Sequence, residues 1–575
     1  MGAFRNPSVE PVGAWRRWLV VAVLGAGALT VLARAAQLQV VERDVLVERG
    51  DRRALRTLRI QAHRGAVLDR NGEPLALSAP ADSIWAVPSK LLEASAYHEP
   101  IARLLNISPA ELRERLAERP DAQFIYLRRL LSPDVADRVL ALGAPGVSRE
   151  NGFRRYYPAG EVAAHVVGFT GSDGDGLEGM EAAADEVLRG TSGSRRVVRS
   201  RDGRIVDDSL GTVPAVPGTD VRLTLDLRLQ YATYRELKRT VEQHGAASGV
   251  VIIADPWSGE ILAAVSQPGY NPNKLSDRRS AAVRNRVVTD QFEPGSSIKP
   301  LLVAGALADG GYRADDVIDT QPGFIKVSGH RIQDRRAFGR VDLSELLAVS
   351  SNVAAAKIGL DLGPERLHDT YERFGLGARV GSGFPGEVTG VLRVARRWRE
   401  LDTASAAFGY GVSVTALHLL RAYCALANGG ELVSLTWVRD EQRAVPRARV
   451  LPRGVSRTVR ELMRGVVSNH GTAGRAAVPG YSVAGKTGTV RKTVDGKYDE
   501  NAHQAIFSGI LPASRPRLVI LVMVDEPSGE AHSGGQIAAP LFARVARTAA
   551  RILAIPPDQP SAPLLSGSVS MGPST

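Results

Sequence analysis

Residues 19–33, LVVAVLGAGALTVLA, carry no charge and follow directly on WRRW, and this run constrains the chain more than any other. A helix that crosses a bilayer needs about 20 apolar residues. The run reaches that length if Arg34 snorkels and the helix continues through AAQLQVV to Val41. Arg5, Arg16 and Arg17 precede it, so charge asymmetry predicts a cytoplasmic N-terminus with the rest of the chain across the membrane. The alternative is a cleaved signal peptide, for which Ala33-Arg34-Ala35 is an acceptable cleavage pattern.

The remaining chain is long enough for two or three cores. Its formal charge of +12 is spread over scattered arginines, without aromatic interleaving or a nucleic-acid motif. No nucleic-acid partner is therefore expected. The single cysteine, Cys424, permits no intramolecular disulfide, and its apolar setting LLRAYCALA reads as a buried thiol.

Along residues 42–220 the pattern alternates between helical and strand-like pieces. AHRGAVLDRNGEPLALS (62–78) predicts a β-hairpin around Asp69-Arg70-Asn71-Gly72. Residues 89–145 read as helical, with Ser108 and Ser132 as caps before SPAELRERLAE and SPDVADRVLALG. GSDGDGLEG (171–179) imitates a calcium loop but has Leu177 and Ala184 where ligands belong, so it reads as a flexible loop and no metal is expected. A boundary is expected near VPAVPGTD (213–220).

Beyond the boundary, Asp226 caps a helix with Leu229, Ala232, Leu237 and Val241 on one face, and GVVIIADPWSGEILAAVS (249–266) gives two strands. Helical segments dominate 297–470. Strands return in YSVAGKTGTVRK, QAIFSGIL and RLVILVMVDE, and a last helix spans roughly 539–554. This order predicts an α+β fold, an antiparallel sheet flanked by helices. The expected domains are a cytoplasmic segment (1–17), a membrane anchor (18–41), a pedestal (42–220), a second domain (221–555) and a disordered tail (556–575).

Three short motifs carry chemistry. In FEPGSSIKP, Ser296 and Lys299 are spaced to share a helix face, at an N-terminus that favours developing negative charge. Taken alone, this is as well explained by an ordinary capped helix. The chain's one S-x-N (Ser350-Ser351-Asn352) and one K-T-G (Lys486-Thr487-Gly488, followed by Thr489) change the balance. In this order the three form the pattern of serine penicillin-recognising enzymes. Such a site needs a nucleophile (Ser296), a base (Lys299), a proton relay (Ser350), an amide that orients lysine and substrate (Asn352), and a cation (Lys486). The hydroxyls of Thr487 and Thr489 suit a terminal carboxylate, and Gly485 and Gly488 clear space where substrate lies on the strand. No cofactor is required.

With these motifs, and with RGAVLDRNGEPLA, RYYPAGEVAAHVVGFT, GLEGMEAAADEVLRG, RNRVVTDQFEPGSSIKP and AAFGYGVSVT, the chain resembles the class B penicillin-binding proteins. The F-E-P-G form before the serine is closer to their division branch. The resemblance implies an N-terminal membrane helix, an elongated mixed pedestal of dimerisation type and a penicillin-binding, serine β-lactamase-like transpeptidase domain. It implies that Ser296 attacks the D-Ala-D-Ala bond of a peptidoglycan stem pentapeptide and that a neighbouring stem amine resolves the acyl-enzyme. The backbone N–H groups of Ser296 and Thr489 would form the oxyanion hole. β-Lactam antibiotics would acylate the same serine. An FtsW-like glycosyltransferase and other division proteins are the implied partners. Two stretches depart from the pattern: residues 85–145 match less closely, and His532-Ser533 stand where many relatives carry tyrosines. An elongation-type transpeptidase, a catalytically idle division scaffold and a serine β-lactamase or sensor are the competing readings.

Overall fold

The computed structural model describes residues 13–45, 55–199, 205–207, 211–440, 442, 444–494 and 497–559. Arg5 and most of the expected tail lie outside them. The chain divides into two compact units, Met1–Ala62 with Thr191–Val216, and His63–Gly190 with Pro217–Thr575. The first unit holds the apolar helix Ala14–Ala36, which runs on through a wider turn at Gln37–Val41. Over these 28 residues no side chain is buried, and the most apolar stretch of 18 has a mean hydropathy of 2.0, so the helix is long and apolar enough to cross a membrane. The unit also contains Leu55–Ile60 paired antiparallel with Gly193–Arg199.

In the second unit the expected hairpin forms: Val67–Leu68 pairs antiparallel with Pro74–Ala86. Asp69 fixes the turn by accepting from the N–H groups of Asn71 and Glu73. Three expectations need correction. Ile125–Leu131 is a strand on Pro74–Ala86, inside the segment read as helical. Leu130 has a φ of 56° and its partner strand is bulged at Asp82–Trp85, so the inward and outward alternation that marks a strand is broken. Ser108 caps its helix by accepting from Glu111 N, but Ser132 makes no capping bond. Nor is 171–179 a free loop: Arg64 Nη1 donates to Gly174 O, and Gly176 N donates to Asp185 Oδ1.

The region 74–147 has a small core of its own around Ile84, Leu91, Ile101, Leu112, Leu127 and Val139. Below it, Arg64 and Arg155 both donate to the fully buried Glu181, at 2.7 and 2.6 Å. A second, much larger core runs from Val67 through Phe169 and Leu188 to Ile555.

That larger core is built on one five-stranded sheet. Its strands are β1 (Ser248–Ala254), β2 (Ile261–Gln267), β3 (Ala484–Val494), β4 (Lys497–Leu511) and β5 (Leu518–Asp525). Their order is β2-β1-β5-β4-β3 and every pairing is antiparallel, as the sequence predicts. β1, β2 and β5 are buried at every residue because helices cover both faces of the sheet. Leu227–Gln243 and Ala539–Ile552 pack together on one face, joined by Arg544 Nε donating to Glu236. The buried stripe of the first of these helices is Leu229, Gln230, Thr233, Tyr234, Leu237 and Thr240; Ala232 and Val241, expected on it, are only half-buried. Asp226 does cap it, accepting from Arg228 N and Leu229 N. The apolar helix Ala416–Ala427 covers the other face and buries Cys424. β3 is left at an edge, with its backbone beside the segment that carries Ser296.

Candidate active site

Pro294 and Gly295 reverse the chain before a single tight turn, Gly295–Ile298, and the helix Lys299–Ala308 follows. Pro300 falls in the first turn of that helix, where a missing N–H costs nothing. Gly295 has a φ of 50°, and its N–H donates to Gly409 O at 3.1 Å. Gly409 has a φ of 90°, and a methyl group there would stand 2.1 Å from Gly295 O. Residues of AAFGYGVSVT thus clamp the turn by backbone contact.

The turn separates two adjacent serines. Ser297 is buried, and its hydroxyl donates to Pro294 O at 2.5 Å while Tyr423 OH donates to its carbonyl. Ser296 is half-buried, and among the described residues its hydroxyl makes no hydrogen bond. Its oxygen is free to react.

Lys299 is fully buried. Its Nζ donates to Ser350 O at 2.7 Å and to Asn352 Oδ1 at 2.8 Å, and Ser350 Oγ stands 3.3 Å away. Burial pushes this ammonium well below the usual lysine range; the nearby positive charges of Lys486 and Arg335 push the same way, against Asp334. A neutral amine has two N–H groups, which match the two short acceptors. Its lone pair is then available to accept a proton.

Ser350 ends the helix Leu343–Val349 in left-handed backbone, with a φ of 63°. Such strain in a non-glycine residue is retained where surrounding contacts fix it. Here they do. Ser351 Oγ accepts from Ala354 N, capping the helix Asn352–Arg373, and donates to Asp334 at 2.6 Å. The same carboxylate accepts from Asn352 N at 2.5 Å and Val353 N at 3.1 Å.

Lys486, on β3, is also fully buried, and its Nζ donates to Ser350 Oγ at 2.9 Å. Burial first, and the charge of Arg335 second, bring it down to about 7. One hydroxyl therefore lies between two lysine nitrogens. Thr487 Oγ1 donates to Thr472 Oγ1 at 2.9 Å, and Thr489 Oγ1 accepts from Gly534 N at 3.0 Å. A Cβ on Gly488 would stand 3.2 Å from Pro294 O, which brings Thr489 on the edge strand beside the Ser296 turn.

The glycines of β3 are also confined by their own packing. A Cβ on Gly485 would meet the ring of Phe507 at 2.4 Å, and one on Gly488 would meet Ile506 as well as Pro294. Internal packing opposes a side chain at Gly485 and crowds one at Gly488. His532 lies against the ring of His503, 4.6 Å between centroids, while Ser533 bonds Gln536. Sequence reasoning missed Asp334, Thr472 and Gly534, and read the stretch that holds Gly409 without assigning that glycine a role. Each acts through a contact distant in sequence, and none belongs to the three catalytic motifs.

A half-buried serine, two buried lysines sharing a hydroxyl, and an edge strand for substrate define a serine acyl-transfer site on an antiparallel sheet. The comparisons agree with that class. Residues 249–547 match the penicillin binding protein transpeptidase domain, and residues 59–223 match the penicillin-binding protein dimerisation domain. The chain belongs to the penicillin-binding protein transpeptidase family, in its two-module class B form. It is 38% identical over 551 residues to the peptidoglycan D,D-transpeptidase FtsI of Escherichia coli, covering 95% of this chain and 93% of that one. It is 40% identical over 547 residues to PenA of Neisseria meningitidis, covering 94% and 93%. Among solved structures, penicillin binding protein 3 of Mycobacterium, complexed with aztreonam, superposes with a TM-score of 0.68 at 28% identity, covering 88% of this chain and 99% of that one. The transpeptidase domain of Burkholderia pseudomallei penicillin-binding protein 3 gives 0.55 at 37% identity over 59% of this chain and 98% of that one.

Proposed function

We propose that this chain is a serine-type peptidoglycan D,D-transpeptidase that cross-links stem peptides at the division septum. In this reading the N-terminal helix anchors it in the bacterial inner membrane, with its N-terminus cytoplasmic and residues 42–220 and 221–555 forming a periplasmic pedestal and catalytic domain. The observation that carries the reading is Ser350 Oγ between the nitrogens of Lys299 and Lys486, with Ser296, three residues before Lys299, keeping a hydroxyl that makes no hydrogen bond among the described residues.

Ser296 Oγ attacks the carbonyl of the penultimate D-alanine and gives its proton to the neutral Lys299 amine. The oxyanion is held by the N–H groups of Ser296 and Thr489. The proton returns through Ser350 to the nitrogen of the departing D-alanine, whose carboxylate lies at Thr487 and Thr489 near Lys486. That carboxylate favours the charged form of Lys486 when it arrives. Asn352 holds Lys299 and the amide of the substrate backbone. An amine of a neighbouring stem then attacks the acyl-serine, and the cross-link forms as Ser296 is released. β-Lactams acylate Ser296 by the same route. The F-E-P-G context of Ser296 supports the septal branch, where an FtsW-like polymerase and other division proteins would be the partners.

Membranes holding the chain are treated with a fluorescent penicillin. The wild type should retain label for many minutes and Ser296→Ala should take none; an unlabelled wild type sinks the enzymatic reading, and rapid loss of label favours a β-lactamase. Depletion should give filaments, whereas round cells would assign the chain to elongation.

A further inference from the structure

The rim of the site beside Asn352 holds a positive charge that the mechanism above does not use. The backbone at 333–334 is tied to the S-x-N segment. Asn352 Nδ2 donates to Gln333 O at 3.4 Å, and the Asp334 carboxylate is occupied by Ser351, Asn352 and Val353. Arg335 follows and is exposed. Nearby arginines are engaged: Arg331 lies over the ring of Phe324 at 4.0 Å, and Arg336 over that of Phe338 at 5.3 Å. Among the described residues Arg335 has no hydrogen bond, ion pair or ring contact. Its charge nevertheless reaches both Lys299 and Lys486 and works against the charged form of each. The Arg335 charge thus has no partner among the described residues, and the carboxylate before it in the chain, Asp334, is already bound.

The position of Arg335 says which end of a ligand it would meet. Thr487 and Thr489, on the edge strand, suit the terminal carboxylate of the leaving group. Arg335 follows Asp334, whose carboxylate accepts from Asn352 N, and in the transpeptidase reading Asn352 holds the amide on the acyl side. We propose that Arg335 is a specificity-determining residue that receives a second negative charge of the acyl donor, on the acyl side of the scissile bond. This rests on the transpeptidase reading of the site. For a stem peptide the charge is a carboxylate on a residue preceding D-Ala-D-Ala; for a β-lactam it is a carboxylate on the acyl side chain. The guanidinium suits it as a planar double donor.

The test uses benzylpenicillin and carboxybenzylpenicillin, which differ by one carboxylate on the acyl side chain. Second-order acylation constants are measured for each on the full-length chain, by competition with a fluorescent penicillin, and expressed as the ratio of dianion to monoanion. Any effect of Arg335 on Ser296 or its base acts on both compounds and cancels in the ratio. For an exposed pair the ratio should fall about fivefold in Arg335→Ala at low ionic strength. It should fall further in Arg335→Glu and be largely kept in Arg335→Lys. The wild-type ratio should decline as salt is added. A ratio unchanged in Arg335→Ala and Arg335→Glu, or one insensitive to salt in the wild type, overturns the assignment while leaving the transpeptidase reading intact. A wild type that neither penicillin acylates overturns both.

Discussion

Replacing Asp334 by alanine separates two effects that a general loss of structure would merge. The carboxylate accepts three hydrogen bonds, from Ser351 Oγ, Asn352 N and Val353 N. Bonds to a charged group are worth roughly 1.5–3 kcal/mol each, and half-exposure discounts them towards the neutral figure of about 1 kcal/mol. The loss is then about 3 kcal/mol, spread over the turn that sets Ser350 and Asn352. If two-thirds of it falls on the geometry of Lys299, acylation at its plateau drops by about 30-fold. The second effect has the opposite sense. Asp334 favours the charged form of Lys299, so removing it shifts that lysine's titration further down. Acylation needs the free amine and rises with pH through this titration. The rising limb of the profile should therefore move to lower pH while the plateau falls. Stopped-flow acylation by a fluorescent penicillin between pH 5 and 9 measures both. A plateau within twofold of wild type, or a limb displaced upwards, would refute the reasoning.

Three further expectations follow from the same geometry. Lys486 sits at about 7 in the fold against 10.5 unfolded, so between those values the unfolded chain binds the extra proton and stability rises with pH. Thermal melts across that window should show a slope steeper in the wild type than in Lys486→Met by up to about 1.4 kcal/mol per pH unit; equal slopes would exclude this cause. Gly409→Ala places a methyl group against Gly295 O and should slow acylation about 10- to 100-fold by displacing the Ser296 turn, which the same penicillin assay reads. Glu181→Ala removes the carboxylate that Arg155 and Arg64 share, leaving Arg64 its pair with Asp185 and Arg155 buried without an ion pair, and should cost about 3 kcal/mol in denaturant unfolding.

The chemistry was legible in the sequence where it is local. Lys299, Ser350, Asn352 and Lys486 were named from three short motifs read together, and their side chains do meet. The central sheet was legible for a related reason, since β1, β2 and β5 are continuous apolar runs. What spacing could not reveal is which residues hold the motifs in place. Asp334 reaches Ser351 across 17 residues, and Gly409 reaches Gly295 across more than a hundred, both through contacts without a local pattern. The strand Ile125–Leu131 was obscured because a left-handed residue and a bulged partner disturb its alternation. Gly485 and Gly488 were read as room for substrate, and nothing in the sequence showed that the Phe507 ring also crowds Gly485 or that Ile506 and the Pro294 carbonyl crowd Gly488.

The central claim is that Ser296, and not its neighbour, is the nucleophile. Peptide mapping by mass spectrometry after reaction with benzylpenicillin tests it most directly. The account predicts one penicilloyl group per chain, on Ser296, with none on the buried Ser297, and no adduct in Ser296→Ala. An adduct on Ser297 or elsewhere, or one that survives Ser296→Ala, would contradict it.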